Sequence, residues 1–314
     1  MTADAGAADT GGTDAEGADT ASPRLEISGL FHEFGTADGG VLRVLDGVDL
    51  TVRTGRFAAV IGPSGSGKST LFDIVAGLTA PTAGSVLIDG AAAAAGRAAY
   101  MPQQDLLFPW RTVEANAALG LEVGAVAQRG GAGGRGRLGR REAVAAVRPL
   151  LAEFGLGGFE RSYPAQLSGG MRQRAALART VAMDRPLMLL DEPFGALDAL
   201  TRTRMQLWLA GMCARHGWTI LLVTHDVREA VFLADTVFVF TERPARIAAR
   251  IEVDLPAPRT AAVFGSPGFA RLEKLVLDAL GGQPEPGGAG PRGGAGPDDG
   301  AGPDNGAGPT GSGS

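Results

Sequence analysis

The sequence predicts an α/β protein that combines an antiparallel sheet with a parallel one. Before residue 90, short strand-like segments lie close together, as in an antiparallel sheet. After residue 180, similar segments alternate with helical stretches, as in a parallel sheet of βαβ units. With 314 residues, 45% of them hydrophobic, the chain can bury a large core in one or two domains.

The strand-like segments are short apolar runs, and the longest of them has strand length. In chain order they span residues 24–27, 41–52, 57–61, 85–88, 187–190, 219–224 and 236–241. Helical spacing of apolar residues predicts one helix over 142–154, with a kink at Pro149. A second helix is predicted over 201–215, ended by Gly217.

Both ends of the chain have compositions that do not favour a folded core. Residues 1–22 are mostly Ala, Gly, Asp and Thr without periodicity, and residues 282–314 repeat Gly-Ala-Gly-Pro four times. We expect a disordered tail at 1–22, a folded domain over 23–281 and a low-complexity Gly/Pro-rich tail from 282. A Gly/Arg-rich stretch at 128–140 is expected to be an expanded surface loop.

The charge and cysteine content exclude some classes of protein. The formal net charge of −5 comes from the acidic ends, so it indicates no partner for the rest of the chain. Cys213, the single cysteine, cannot form an intrachain disulfide, and we expect a small buried hydrophobe rather than a reactive thiol. Residues 1–22 do not resemble a signal peptide, and no apolar run reaches the length of a membrane span.

A glycine-rich turn follows the apolar run 57–61 and precedes a helical stretch. It reads Gly-Pro-Ser-Gly-Ser-Gly-Lys-Ser, and the strand–turn–helix context favours a phosphate-binding P-loop over a chance turn. Lys68 is expected to reach the β- and γ-phosphates, and the Ser69 hydroxyl to bind Mg²⁺. The predicted nucleotide-binding residues of this segment are Gly62, Pro63, Ser64, Gly65, Ser66, Gly67, Lys68, Ser69 and Thr70.

Two carboxylates follow the apolar run 187–190. Asp191 and Glu192 stand where such a strand delivers its last residues to the ligand-binding edge of an α/β sheet. We expect Asp191 to hold Mg²⁺, through water, and Glu192 to act as general base toward the attacking water. Alone, this pair would indicate a solvated loop, but the P-loop upstream favours the catalytic interpretation.

Between the P-loop and the carboxylates, residues 167–174 read Leu-Ser-Gly-Gly-Met-Arg-Gln-Arg. With this signature the chain resembles the ATPase subunit of an ATP-binding cassette (ABC) transporter over roughly residues 25–280. The resemblance implies the P-loop NTPase fold of ABC ATPases, with an antiparallel β subdomain and an inserted α-helical subdomain near 104–170. It also implies that Ser168, Gly169 and Gly170 contact the ATP of a second copy in a head-to-tail dimer; the alternative is a solvent-facing helix cap.

The same resemblance assigns further residues. Gln103 matches the glutamine that contacts Mg²⁺ and the attacking water, with Gln104 as the less favoured alternative. Asp198 matches the aspartate of the loop after the catalytic glutamate, and His225 the histidine that binds the γ-phosphate. Phe34 matches the adenine platform, with Phe31 as the competitor. The other two histidines, His32 and His216, are expected to be structural.

Two segments resemble one group of importers in particular. Leu-Leu-Phe-Pro-Trp-Arg at 106–111 and Asp-Ala-Leu-Thr-Arg at 198–202 are similar to the nitrate/sulfonate/taurine group. The resemblance implies a peripheral subunit at the cytoplasmic face of the membrane. Its partners would be a second copy, a separate permease and, indirectly, a solute-binding protein, with no nucleic acid. The alternative is a soluble ABC ATPase that acts on a macromolecule.

Overall fold

In the computed structural model, residues 22–123 and 138–281 are described. The expected tails at 1–22 and 282–314 and the expected loop at 128–140 lie almost wholly outside these ranges. Only Ser22 and residues 138–140 fall within them. The strands are β1 (Pro23–Gly35), β2 (Val41–Arg53), β3 (Phe57–Ile61), β4 (Ala83–Ile88), β5 (Ala91–Ala92), β6 (Ala98–Met101), β7 (Leu187–Asp191), β8 (Ile220–Thr224), β9 (Thr236–Phe240) and β10 (Ile247–Glu252). The helices are α1 (Lys68–Val75), α2 (Val113–Ala117), α3 (Leu119–Glu122), α4 (Arg140–Glu153), α5 (Gly169–Val181), α6 (Ala199–His216), α7 (Val227–Leu233) and α8 (Pro267–Gly281).

The antiparallel sheet has the strand order β2-β1-β4-β5. Its centre is β1, which pairs with β2 from Pro23↔Arg53 to Gly35↔Val41 through several bulges. The strand is longer than the expected segment 24–27. Its bulges interrupt the alternation of buried and exposed residues, so the sequence pattern predicted only the first part of the strand. The bulges bend the ribbon and redirect the side chains of its distal half.

The second sheet has the order β10-β9-β3-β8-β7-β6, and all its pairs are parallel except β10 with β9. Every residue of β3, β7 and β8 is buried, which explains why these strands are continuous apolar runs. Although β3 lies among the early strands, it joins this sheet. The carboxyl ends of β3, β6, β7 and β8 therefore meet at one edge.

The region after the parallel strand β6 is helical, as the resemblance implied. Helix α4 packs through Ala143, Val147 and Leu151 and runs through Pro149, an exposed position. Helix α6 ends at Gly217, whose φ of 61° places it in the left-handed region, as predicted. Across residues 22–123 and 138–281, no helix has both the length and the hydrophobicity needed to cross a bilayer.

Candidate functional site

A cavity of ≈330 Å³ opens at the carboxyl edge of the parallel sheet. The turn after β3 forms one wall, and the residues after β6 and β7 form another. The β1–β2 ribbon adds a third wall. The lining residues are Phe34, Leu42, Val44, Ser64, Gly65, Ser66, Gly67, Lys68, Ser69, Thr70, Gln103, Asp191, Glu192, Val223 and Arg243.

The glycine-rich turn passes close to β2. Gly67 has a φ of 103°, and a Cβ atom at this position would lie 2.8 Å from Cγ1 of Val44. Only glycine accepts both the left-handed backbone and this approach. The turn leads into α1, whose first residue is Lys68, so the N-terminal end of the helix faces the cavity. Free N–H groups and the helix dipole make such an end a favourable place for phosphate.

Lys68 carries a buried positive charge at this wall. Its Nζ donates to the carbonyl oxygens of Gly62 at 2.8 Å and Pro63 at 2.7 Å. Burial lowers the pKa of the ammonium, while the charges of Glu192 and Asp191 oppose that shift. The carbonyls of the first two residues of the motif thus bind the lysine ammonium, and these two residues do not line the cavity. Residues Ser64 to Thr70 form the cavity wall.

Asp191, the last residue of β7, is only 8% exposed. Burial raises the pKa of its carboxyl group, and a hydrogen bond from the Tyr100 hydroxyl, 3.3 Å from Oδ2, opposes this shift. Sequence reasoning missed Tyr100, which lies on the neighbouring strand β6. The available signal was its position three residues before Gln103, on a strand whose carboxyl end joins the same edge.

The predicted Mg²⁺ ligands are all oxygen donors on this cavity: the Ser69 hydroxyl, the Asp191 carboxylate and the Gln103 amide oxygen. Hard oxygen donors with few carboxylates suit Mg²⁺, which keeps several waters and binds substrate phosphates. Within the described ranges, no group of three or more His, Cys, Asp or Glu side chains could by itself hold a metal. The predicted donor set, which contains three oxygen ligands, one of them a carboxylate, fits Mg²⁺.

Two predicted residues, Gln103 and His225, converge on Glu192. Its Oε2 accepts a hydrogen bond from Gln103 Nε2 at 3.0 Å, and its Oε1 lies 3.1 Å from Nδ1 of His225. The residue has a φ of 44°, an unfavourable conformation for glutamate that occurs most often at functional sites. Gln103 lines the cavity, whereas its competitor Gln104 does not.

Of the two candidates for the adenine platform, Phe34 lines the cavity and is 44% exposed. Phe31 packs instead against Gly47, where a Cβ atom would lie 3.4 Å from its Cζ. His32 is buried and meets the Phe34 ring edge-on, with centroids 4.6 Å apart. His216 binds Glu153 at 2.8 Å, so neither histidine reaches the cavity.

The signature segment lies apart from this cavity. The Ser168 hydroxyl accepts from the Met171 amide at 3.3 Å and caps α5. A Cβ atom on Gly170 would lie 3.0 Å from Cγ2 of Thr201, so this glycine lets α5 approach α6 closely. None of the residues from Ser168 to Gly170 is among the described residues that line the cavity.

Asp198 is also outside the cavity. Its carboxylate accepts from the Thr201 amide at 3.0 Å and caps α6, and this hydrogen bonding lowers its pKa. The structure therefore brings together the P-loop, Gln103, Asp191, Glu192 and, through Glu192, His225, but not the signature or Asp198. Besides Tyr100, sequence reasoning missed Arg243, which lines the cavity. No local motif pointed to this arginine.

Known proteins share this architecture. The family model described as "ABC transporter" matches residues 45–195. Two proteins named aliphatic sulfonates import ATP-binding protein SsuB are each 44% identical to this chain. The protein of Frankia casuarinae aligns over 84% of this chain and 76% of its own length. The protein of Frankia alni (SsuB 1) aligns over 82% of this chain and 84% of its own length.

Solved structures of the ABC transporter cassette MJ0796 also match. Its dimeric structure has a TM-score of 0.61 and 27% identity, over 74% of this chain and all of that one. A second dimeric structure, with ADP and Pi, matches at the same TM-score and 26% identity. The predicted fold class is confirmed, and so is the resemblance. The chain belongs to the ATP-binding proteins of the ABC transporter family, in the group of ATPases that includes the aliphatic sulfonate import subunits.

Proposed function

We propose that the chain is the ATP-hydrolysing, energy-coupling subunit of an importer for an aliphatic sulfonate such as taurine, or for nitrate or another related small solute. The observation that carries the ATPase part is the arrangement around Glu192, whose carboxylate meets both Gln103 and His225 beside the P-loop. The similarity to import subunits over more than four-fifths of the chain supports the transport part.

In this proposal the P-loop holds the triphosphate. The amides from Ser64 to Thr70 and the N-terminal end of α1 bind its oxygens, and Lys68 exchanges its carbonyl partners for phosphate oxygens. Phe34 stacks on the adenine, because it is the exposed aromatic residue on this wall. Arg243, on the same cavity, adds a positive charge for the phosphates.

Glu192 is the general base in the proposed reaction. It orients a water toward the γ-phosphate and accepts its proton. Gln103 and His225 place its two carboxylate oxygens, and His225 then contacts the γ-phosphate. Mg²⁺, held by Ser69, Asp191 and the Gln103 oxygen, supplies positive charge that neutralises the phosphate oxygens when it is bound. Tyr100 keeps the Asp191 carboxylate oriented.

The signature contributes in a second copy of the chain. Ser168, Gly169 and Gly170 are too far from their own cavity to line it, so we assign them to the ATP of a partner copy in a head-to-tail dimer. Asp198 is assigned to the same interface. The dimeric state of MJ0796 supports this arrangement.

The dimer acts on a separate membrane permease, from the cytoplasmic face of the membrane, and a solute-binding protein delivers the substrate. The transported class is tested by reconstituting the chain with a permease that co-purifies with it and a matching solute-binding protein. Ethanesulfonate, taurine and nitrate are each supplied to the binding protein, and ATP hydrolysis and solute uptake are measured together. We expect one of these solutes to stimulate hydrolysis and uptake in parallel, and Glu192→Gln to abolish both.

Hydrolysis that none of these solutes alters, in a complex that assembles, would contradict the importer assignment. Stimulation by a macromolecule in place of a loaded binding protein would favour a non-transport ATPase. Either result would leave the ATPase chemistry intact, because that part depends on the cavity and not on the permease.

A further inference from the structure

Arg202, in the first turns of α6, contacts two loops that carry functional residues. Its Nε donates to the Phe194 carbonyl at 3.3 Å, and one terminal nitrogen donates to the Leu197 carbonyl at 3.0 Å. These carbonyls belong to the loop between Glu192 and Asp198. The other terminal nitrogen lies 3.7 Å from Oδ2 of Asp226, which directly follows His225.

Asp226 is itself fixed on the side away from Arg202. Its Oδ1 accepts from the amides of Arg228 at 2.9 Å and Glu229 at 3.2 Å and so caps α7. Its own amide donates to the Thr224 hydroxyl at 3.0 Å. The Thr224 hydroxyl donates in turn to Glu229 at 2.7 Å. The turn that presents His225 is therefore held on both sides, by Thr224 and by Asp226.

The two loops and the arginine enclose a small polar void. It is lined by Glu192, Gly195, Arg202, Thr224, His225, Asp226 and Glu229. The loop after Glu192 and the turn around His225 are thus adjacent, and Arg202 hydrogen-bonds to the first and forms an ion pair with the second. A planar guanidinium has enough donors, in a fixed geometry, to contact two carbonyls and a carboxylate at once.

We propose that Arg202 is a positioning residue that fixes the separation between Glu192 and His225. By tying the Phe194 and Leu197 carbonyls to Asp226, it keeps Glu192 Oε1 and His225 Nδ1 at their 3.1 Å contact. A displacement of the first loop would misplace Glu192, the proposed base, and a displacement of the second would misplace His225, the proposed γ-phosphate contact. The rate of hydrolysis is sensitive to such misplacements. This inference rests on the catalytic roles proposed for Glu192 and His225.

The test compares Arg202→Gln and Arg202→Lys with Arg204→Gln, a matched control at an exposed position of the same helix. For each variant, kcat and KM for ATP and the midpoint of thermal unfolding are measured. We expect Arg202→Gln to lower kcat about tenfold or more, with KM within about twofold. Arg202→Lys should restore little of the lost kcat, since an ammonium cannot reproduce the planar set of guanidinium donors. Arg204→Gln should match the wild type.

A second variant separates positioning from folding. Asp226→Asn keeps the cap of α7, because asparagine also accepts there, but removes the charge facing Arg202. The kcat losses of Arg202→Gln and Asp226→Asn should be clearly less than additive in the double variant. Additive losses, a wild-type kcat in Arg202→Gln, or a rise in KM that accounts for the whole loss would overturn the inference alone. An inactive wild-type chain, or full activity in Glu192→Gln, would instead overturn the proposed function on which it rests.

Discussion

Replacing Glu229 by glutamine should remove a pH-dependent loss of stability. Glu229 is only 3% exposed, and one carboxylate oxygen accepts from Thr224 while the other has no hydrogen-bond partner among the described residues. Burial is the main cause that raises its pKa from 4.5 to about 8, and the hydrogen bond from Thr224 and the charge of Arg202 oppose the shift. At neutral pH the folded chain therefore keeps a proton on this group that the unfolded chain has lost.

The sign and size of the effect follow from this difference in bound protons. Between the unfolded and folded pKa values, stability falls as pH rises, by up to about 1.4 kcal/mol per unit. From pH 5.5 to 7.5 the loss attributable to Glu229 amounts to about 2.5 kcal/mol. Glutamine cannot ionise, and any cost of its amide in the pocket is independent of pH.

Urea unfolding of the wild type and Glu229→Gln at pH 5.5, 6.5 and 7.5 provides the assay. We expect the free energy of unfolding of the variant to rise relative to the wild type as pH increases. Glu252→Gln, which also removes one carboxylate but at an exposed position, controls for the loss of a charge. A difference that is constant over this range, or that shrinks with pH, would refute a buried, protonated Glu229.

The remaining predictions concern the nucleotide. Lys68→Ala should weaken ATP binding in a titration, because the lost charge faces the triphosphate, and unchanged affinity would contradict that role. Ser168→Arg protein should still bind ATP as a monomer but fail to dimerise. Weakened ATP binding to the monomer would instead mean that Ser168 contributes to the ATP site of its own chain. Mixing these two inactive proteins should restore partial ATPase activity, since one composite site of the mixed dimer keeps both Lys68 and Ser168; strictly inactive heterodimers would contradict independent shared sites.

The parts of the fold that sequence predicted best are those with a strong local pattern. Strands β3, β7 and β8 are buried on both faces and are therefore continuous apolar runs. Strands β5, β6 and β10 were not predicted. Strand β5 has only two residues, β6 has four, two of them alanine, and β10 is an edge strand with no fully buried residue.

The site shows the same division. The P-loop is contiguous in sequence, so its glycines and its lysine can be recognised together from one local pattern. Tyr100 contacts Asp191 from 91 positions away, and no spacing rule links one tyrosine to one aspartate across a sheet. Arg202 was part of a family-like segment, but its bonds to two loops depend on how α6 packs. Single polar contacts made by tertiary structure leave no periodic signal.

The central claim is that Glu192, held by Gln103 and His225, is the base of ATP hydrolysis. The most direct test measures ATP affinity and single-turnover hydrolysis in Glu192→Gln, which keeps the shape and removes the basic carboxylate. We expect ATP affinity within about threefold of the wild type, hydrolysis slowed by about 100-fold or more, and a dimer that accumulates with ATP. Hydrolysis within a few-fold of the wild type, with ATP bound normally, would contradict the claim.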